Sequence, residues 1–559
     1  MRDWVGSRRR LLQLAVIGAA GALAPRALAA HLFRWPPLIA NVRIHSRRPY
    51  AGDTPELVNL GMSEGRDTGL VTFDLSAPAD IALDVRVTGQ GAQSEQPSPG
   101  AEMSFSSQQL TLPAGKHTVQ WAPDPALIPP RTYILHLRAT PAGRPNAGPD
   151  TGNVVARFLG IDASLGVRTT LAGATLPMTI RTDATQLTLQ ALHCGVETDP
   201  TYSNDVINGD PVGDPVTVDW SRHMDGPATV PVQIGDWPAG LYAFRIDSDD
   251  KRVGFVPIVV RPPAPKNKVA VVLPTSTWHA YNFYDADGDG WGDTWYARWK
   301  TLKSDMTRPH ANRGVPYRYR SYDLQFLQWL VQTNKDVDYY GDEDLERFTP
   351  DALRAAYELV VFSGHTEYTT ARLYDVVTGY RDRGGNLMFL SANNFFRKVV
   401  RRGTTLKLID EWRDLHRPEA ALCGVQYLAS DRGGRQQPFL VVGADAAPWA
   451  FKDTGLSNGT GFGLYGIEID ARARTSPPNV EVLAVITNLF GKGRTAEMTY
   501  YEHPSGAKVF SAGVLNFGGQ VLLWPESSQL LQNVWDRLAP GTAGPPAGPP
   551  PVFTPPPTE

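Results

Sequence analysis

The chain has 559 residues, which at about 150 residues per domain predicts three or four domains. Lys and Arg total 54 against 57 Asp and Glu, so the formal net charge is −3 and the basic surface typical of a nucleic-acid-binding protein is not expected. A hydrophobic content of 42% excludes wholesale disorder, while 52 Gly and 47 Pro favour an ordered, turn-rich protein with much β structure.

The N-terminus has the pattern of an export signal. Ser-Arg-Arg-Arg-Leu-Leu at 7–12 leads into an apolar stretch up to Leu23, and Ala-Leu-Ala at 27–29 supplies a small-residue cleavage pattern. The alternative is a membrane anchor, but about a dozen apolar residues are too few to span about 30 Å of hydrocarbon. We therefore predict a twin-arginine-type signal peptide over 1–30 and a mature protein that is periplasmic, secreted or at the cell surface, without a membrane span.

Cysteine usage excludes a disulfide-built fold. Only Cys194 and Cys423 are present, far apart in the chain. Each is expected to be a small buried hydrophobic residue, and the spacing leaves open whether the two pair.

Two β domains are predicted before residue 262. Short alternating strands separated by Gly, Pro and Asp clusters run from about residue 38, and the segment around Tyr133 recurs in outline around Tyr242, about one immunoglobulin-like domain later. We predict immunoglobulin-like β-sandwiches over 31–150 and 151–262.

From residue 267 to 540 the pattern changes to strands alternating with helices. Val269–Leu273 and Leu359–Phe362 are continuous apolar runs, the pattern of strands buried on both faces. This predicts an α/β domain with a mostly parallel sheet. Gly, Pro and Thr dominate 541–559, so a disordered Pro-rich tail is expected there.

Polar side chains follow three predicted strands of this domain. They lie in Thr-Trp-His-Ala-Tyr-Asn at 277–282, Gly-His-Thr-Glu-Tyr at 364–368 and Ser-Ala-Asn-Asn at 391–394. Parallel strands end at the same edge of a sheet, so phenols, an imidazole, a carboxylate and amides are expected to meet there. Such a set suits a hard metal ion or acid/base chemistry; ordinary capping and turn residues are the alternative.

An acidic loop follows closely. Three carboxylates alternate along it with Gly at the sixth position, which is the opening of a calcium-binding loop, but the twelfth position is Tyr296 where such loops carry Glu. We predict a structural Ca2+ site, with a solvated acidic turn as the alternative. Its candidate ligands are Asp285, Asp287, Asp289 and Asp293.

Motifs in chain order resemble the N,N-dimethylformamidase large (beta) subunit-like family. They are the segments at 277–282 and 364–368, Gly-Gly-Asn-Leu-Met-Phe-Leu-Ser-Ala-Asn at 384–393, and Val-Phe-Ser-Ala-Gly at 509–513. The resemblance covers about residues 267–540. It implies a glutamine-amidotransferase-like catalytic domain that lacks the nucleophilic cysteine and holds a mononuclear iron through two tyrosines and one glutamate.

Carried onto this sequence, the resemblance makes Glu367 the carboxylate ligand and Tyr281 one phenolate. The family's Arg-Pro-Tyr is matched here by Arg-Pro-His at 308–310, so the third metal ligand is His310, with Tyr317 or Tyr322 as alternatives. Phenolate and carboxylate oxygens suit oxidised iron, and three protein ligands leave positions open for water and a carbonyl oxygen.

Further catalytic candidates surround this set. His365 is predicted to act as a general acid/base or to orient water, Asn393 to donate a hydrogen bond, and Glu468 to support the site from the next layer of side chains. Together these residues favour an exported metal-dependent hydrolase acting on the carbon–nitrogen bond of a small amide. The alternative is a non-catalytic exported binding or surface protein with a degenerate α/β domain, and the sequence leaves open whether the chain forms a homo-oligomer or takes a small second subunit.

Overall fold

The structure is a computed structural model. It describes residues 39–45, 57–58, 69–75, 77–87, 106–121, 133–142, 155–158, 160–197, 206–284, 286, 293–296, 302–311, 313–431 and 435–542. The predicted signal peptide over 1–30 lies outside these residues, as does most of the predicted tail; residues 540–542 close the described chain as a 3-10 turn.

The first β unit contains two sheets. Their strand orders are β1-β3-β6 and β2-β8-β7-β4-β5. The strand β8 pairs with β7 although it lies beyond residue 150, so the unit extends past the predicted boundary. The strands are β1 Ile39–His45, β2 Leu57–Val58, β3 Gly69–Leu75, β4 Ala79–Val87, β5 Ser106–Leu112, β6 Gly115–Trp121, β7 Tyr133–Pro141 and β8 Val155–Phe158.

The second β unit also contains two sheets. The strands are β9 Asp162–Ser164, β10 Thr169–Leu171, β11 Thr175–Arg181, β12 Gln186–His193, β13 Asp210–Asp219, β14 Ala228–Gln233, β15 Gly240–Ser248 and β16 Val253–Arg261. The orders are β10-β16-β15-β12-β13 and β14-β11-β9. Met178, Ile180 and Trp220 belong to one buried cluster that joins the two sheets. The immunoglobulin-like assignment of both units stays a prediction.

The remaining strands build the part of the chain that carries the candidate site. They are β17 Val269–Leu273, β18 Lys303–Asp305, β19 Asp338–Gly341, β20 Leu359–Phe362, β21 Tyr368–Thr369, β22 Asn386–Phe389, β23 Arg397–Arg402, β24 Thr405–Glu411, β25 Gln426–Ser430, β26 Gln436–Val441, β27 Gly461–Gly466, β28 Glu468–Ala471, β29 Glu481–Ile486, β30 Ala496–Glu502 and β31 Lys508–Ser511.

A nine-stranded mixed sheet organises this region, in the order β19-β17-β20-β22-β31-β30-β29-β26-β27. The five strands from β19 to β31 pair in parallel. The four from β30 to β27 continue the sheet antiparallel. The predicted parallel character therefore describes one half of the sheet, and the glutamine-amidotransferase-like assignment stays a prediction.

Helices cover both faces of the parallel half. Successive residues of a strand point to opposite faces, so Val271 of β17 packs in one buried cluster and Val272 in another. This two-sided burial is why β17 and β20 are apolar throughout. The helices are α1 Thr275–Ala280, α2 Gln325–Gln332, α3 Pro350–Ala356, α4 Ala371–Arg381, α5 Ala420–Cys423 and α6 Pro525–Leu538.

Three local features refine the sequence predictions. The segment after β17 begins as the short helix α1, where a loop was expected. A π-helical turn, Arg320–Leu324, leads directly into α2. Cys194 and Cys423 are buried free thiols. Within the described residues, no helix has both the length and the apolar character needed to cross a membrane.

Candidate functional site at the switch point of the sheet

The candidate site lies where two neighbouring parallel strands end. From β17 the chain passes to β19 on one side, and the next strand, β20, lies on the other side of β17. In open α/β sheets this reversal opens a crevice beyond the carboxyl ends of the strands. Tyr281 follows β17 through α1, and Glu367 follows β20, so both reach this crevice.

Helix α1 is held at its start by a distant carboxylate. Its own residues provide no side-chain cap. Asp342 accepts the backbone N–H of Ser276 at 2.9 Å and the hydroxyls of Thr275 and Ser276 at 2.8 and 2.9 Å. These bonds satisfy donors that a short helix leaves open, and they fix the path that delivers Tyr281.

Two phenols converge on the carboxylate of Glu367. The Tyr281 hydroxyl donates to Glu367 Oε2 at 2.7 Å, and the Tyr296 hydroxyl lies 3.1 Å from the same oxygen. The two rings stack with centroids 4.4 Å apart. The Tyr368 hydroxyl contacts that of Tyr296 and accepts a hydrogen bond from Trp295 Nε1 at 3.1 Å. Glu367 is thus set in a cluster of phenols with its side chain 3% exposed.

The backbone around Glu367 is fixed by α1 and by a neighbouring strand. Thr277 Oγ1 accepts the N–H of Glu367 at 3.1 Å and that of Tyr368 at 3.3 Å. Arg397 N donates to the Glu367 carbonyl at 2.9 Å, and Arg397 Nε lies 3.7 Å from Glu367 Oε1. The carboxylate therefore has both phenols on Oε2, while Oε1 has the guanidinium beside it and the Tyr296 hydroxyl 3.3 Å away.

A second carboxyl group faces the first across an imidazole. His365 Nε2 is 3.5 Å from Glu367 Oε2 and 3.7 Å from Glu468 Oε2. It is buried and makes no hydrogen bond to any described residue. The Asn393 amide donates to Glu468 Oε2 at 2.8 Å. Ile467, directly before Glu468, has φ 69°, a strained value for a β-branched residue and one often found at functional sites.

Burial dominates the electrostatics of the site. It raises the pKa of Glu367, against the opposing effects of Arg397 and of the phenol hydrogen bonds. Burial, followed by the charge of Glu367, raises the pKa of Glu468 well above its usual range. Burial also lowers the pKa of His365 to about 3, so the imidazole is neutral near pH 7.

The oxygen donors around Glu367 fit a hard metal ion better than they fit zinc. Among the described residues, no group of three or more His, Cys, Asp or Glu side chains is arranged to hold a metal. The oxygens that accompany Glu367 belong to Tyr281 and Tyr296, and phenol and carboxylate oxygens suit iron. The unpartnered Nε2 of His365 and the unpartnered Oδ1 of Asn393 add buried polar atoms that a bound group or water would satisfy.

His310 is not brought to this carboxylate. Its ring stacks on His279 with centroids 4.5 Å apart, and no hydrogen bond or ion pair links it to Glu367 in the described part of the chain. The Asn282 amide holds the preceding residue, Pro309, through its carbonyl at 2.8 Å. The chain turns this segment toward His279, and the assignment of His310 as third ligand stays a prediction.

The two alternatives to His310 lie in the wall of the site. Tyr317 stacks on Tyr281 with centroids 5.2 Å apart, and Tyr322 packs edge-on against Tyr317. With Asp323, His365 and other neighbours they line a cavity of about 10 Å³, room for about one water molecule. Neither hydroxyl donates to Glu367 in the described structure, whereas that of Tyr296 does.

Tyr296, Tyr368 and Arg397 are site residues that sequence reasoning missed. Tyr296 was noted only as the twelfth position of the acidic loop. Tyr368 directly follows Glu367, and its phenol was a signal available in the motif itself. Arg397 gave no signal, because its approach to Glu367 depends on the parallel pairing of β21 with β23.

The predicted calcium site falls mostly outside the described residues. Asp285, Asp287 and Asp289 are not described. Asp293 Oδ2 accepts the N–H of Ala286 at 2.7 Å, as in a closed polar turn. The Ca2+ prediction stays untested by these contacts.

A buried carboxylate that accepts phenol hydrogen bonds at a sheet switch point defines a candidate metal or acid/base centre. The family model described as N,N-dimethylformamidase beta subunit-like, C-terminal, matches residues 196–523, more than half of the chain. The chain belongs to this family, as the sequence motifs predicted.

Individual similarities are more distant. The N,N-dimethylformamidase beta subunit of Paracoccus aminophilus is 29% identical over 120 residues, which are 21% of this chain and 15% of that protein. The Salmonella alpha-2-macroglobulin reacted with methylamine is 12% identical, with a TM-score of 0.23 over 41% of this chain and 17% of the other. Red sea bream transglutaminase is 10% identical, with a TM-score of 0.16 over 43% of this chain and 34% of the other. The two structural similarities are too low to support an argument.

Proposed function

We propose that this chain is an exported metal-dependent hydrolase that cleaves the carbon–nitrogen bond of a small amide. One observation carries the proposal: the hydroxyls of Tyr281 and Tyr296 converge on the same oxygen of Glu367, at 2.7 and 3.1 Å. Two phenols and one glutamate are the ligand set that the family resemblance implies for a mononuclear iron. In this assignment Tyr296 is the second phenolate.

Iron bound by these three residues supplies Lewis acidity toward a carbonyl oxygen and toward water. The chain's own groups would do the rest. His365 lies between Glu367 and Glu468, where it can accept a hydrogen bond from water and orient it toward the amide carbon. Glu468, held by the Asn393 amide, is placed to pass a proton to the leaving nitrogen.

The alternative of a non-catalytic binding protein is motivated by His310 in place of an expected tyrosine and by the Pro-rich tail. In the proposed ligand set Tyr296, which meets Glu367, takes the place of that tyrosine, so the set does not require His310. Export by the twin-arginine route remains part of the proposal and rests on residues 7–29 alone.

The test is elemental analysis of the mature protein, expressed with iron, zinc and calcium available, followed by measurement of amine release from formamides and larger amides. The wild type is expected to hold near-stoichiometric iron, and Glu367→Gln to lose both iron and hydrolysis. Glu346→Gln is the matched control, because this partly buried glutamate pairs with Arg401, away from the site. Equal iron and activity in Glu367→Gln and the wild type would contradict the proposal.

Partner subunits are tested in the same preparation. The Paracoccus relative is named a beta subunit, so we propose that this chain also works in an assembly, either with a small second subunit or as a homo-oligomer. Purification from the native host and mass measurement of the intact complex distinguish the two, and a monomer that is fully active would exclude both.

A further inference from the structure

Arg397 is built into the backbone that carries Glu367. It is the first residue of β23, which pairs in parallel with β21 directly after Glu367. Its N–H donates to the Glu367 carbonyl at 2.9 Å, and its side chain is 15% exposed. The guanidinium is thus carried to the Glu367 carboxylate by the sheet and not by a flexible loop.

The side chain has a defined place between two carboxylates and a ring. Nε lies 3.7 Å from Glu367 Oε1, and an Nη lies 3.4 Å from Glu411 Oε1. The guanidinium carbon is 4.9 Å from the centre of the Phe396 ring. Planar stacking of this kind restrains a guanidinium better than an ammonium group, which has no face to stack.

Glu367 is consequently held by two phenols and by a guanidinium. Its Oε2 accepts from the hydroxyls of Tyr281 and Tyr296, while its Oε1 lies beside Arg397 and 3.3 Å from the Tyr296 hydroxyl. In the described part of the chain, Arg397 is the sole Lys or Arg within ion-pair distance of this carboxylate.

We propose that Arg397 is a positioning residue that orients the Glu367 carboxylate, so that Oε2 points at the two phenols and into the metal site. The link to metal affinity rests on the proposed function. Groups that orient a ligand from outside the metal typically change metal affinity by about 10- to 100-fold when they are removed. Arg397 is expected to have an effect of this size without touching the metal itself.

The first test measures iron affinity by dialysis against ferric citrate. Arg397→Met is expected to bind iron at least about tenfold more weakly than the wild type. Arg397→Lys keeps the charge but loses the stacked plane, so partial recovery is expected. Affinity in Arg397→Met equal to that of the wild type would overturn the proposal.

Arg413→Met is the matched control. Arg413 also lies over the Phe396 ring, with its guanidinium carbon 4.8 Å from the ring centre, and pairs with Glu419 instead of Glu367. The Arg413→Met variant therefore loses a similar amount of packing and one buried ion pair. If Arg413→Met weakens iron binding as much as Arg397→Met, loss of packing explains the effect and the positioning role is wrong.

A second test needs no metal. Urea unfolding of the metal-free wild type, Arg397→Met, Glu367→Gln and the double variant forms a double-mutant cycle. We expect Arg397→Met to shift the unfolding midpoint less in the Glu367→Gln background than in the wild type. Additive shifts would overturn the positioning role. Coupled shifts in a wild type that binds no iron would support that role while contradicting the proposed function.

Discussion

The side-chain amide of Asn393 donates to Glu468 Oε2 at 2.8 Å, and the backbone N–H of Asn393 donates to Asp470 Oδ1, also at 2.8 Å. Asn393, which follows β22 in the chain, thereby ties together the carboxylates of Glu468 and Asp470 in β28. Asn393 has φ 58°, a left-handed conformation that Asn tolerates better than most residues. The position of Glu468 beside His365 depends on this contact.

Asn393→Ala is expected to lower the free energy of unfolding by about 1–3 kcal/mol. It removes the amide donor from the buried Glu468, and alanine lacks the short polar side chain that lets Asn adopt a left-handed backbone. Asn393→Gly also removes the donor, but glycine adopts a left-handed backbone without strain. It is therefore expected to be the more stable of the two variants by about 1 kcal/mol. Urea unfolding checks both values, and equal stability of Asn393→Ala and the wild type would show that the contact is not formed.

Tyr296→Phe is expected to lower the iron content of the purified protein by more than half, because it removes one of the two phenols on Glu367. His310→Phe keeps a ring against His279 and is expected to leave iron content unchanged. Elemental analysis of both variants decides between Tyr296 and His310 as the third ligand. Loss of iron only in His310→Phe would reverse the assignment.

Asp342→Asn is expected to flatten the pH dependence of stability. Burial raises the pKa of Asp342 to about 6, against the opposing effect of its bonds to Thr275 and Ser276. An acid whose pKa is raised on folding stabilises the protein below its unfolded pKa, about 4, and loses that contribution as the pH rises through about 6.

The difference in unfolding free energy between the wild type and Asp342→Asn should therefore move by about 2–3 kcal/mol in favour of the variant between pH 4 and pH 8. The asparagine can keep its partners, since its oxygen accepts the Ser276 N–H and its amide donates to the hydroxyls. Urea unfolding at several pH values in this range measures this difference. If the unfolding free energies of the two proteins changed with pH in parallel, the raised pKa would be ruled out.

Asp338→Ala is expected to destabilise the protein by about 1–3 kcal/mol, because it leaves the buried Tyr357 hydroxyl and two partly buried N–H groups without an acceptor. Asp338 accepts the backbone N–H groups of Lys266 and Asn267 at 2.7 and 3.2 Å and the Tyr357 hydroxyl at 2.8 Å. These bonds fix the chain just before β17. Asp336→Ala, two residues earlier and exposed, is the control and is expected to change stability by less than about 0.5 kcal/mol.

The sequence was sufficient for the strands that are buried on both faces. The bounds of β17 and β20 were predicted from apolar runs alone, because two-sided burial permits no polar residue within them. Their order fixed which segments reach the switch point, and this is why Tyr281, His365 and Glu367 were predicted together.

The site residues missed by sequence analysis reach Glu367 through contacts between distant segments, which no local sequence pattern reveals. Tyr296 reaches Glu367 from a loop without periodicity, and Arg397 reaches it through the register of β21 and β23. The placement of the His310 ring has a similar cause. A motif match fixes a position in the chain, whereas the direction of the ring was set by stacking on His279.

The mixed sheet has a consequence for the order of synthesis. Tyr281 and Glu367 follow strands of its parallel half, but Glu468 arrives about a hundred residues later on β28, and β31, at the centre of the sheet between β22 and β30, is made later still. A nascent chain that ends before β31 lacks the strand that joins the two halves. Long-range pairings of this kind form slowly and late, so Glu468 joins Glu367 and His365 only after nearly all of the chain has been synthesised. Completion of this pair of carboxyl groups would then be a step that follows synthesis.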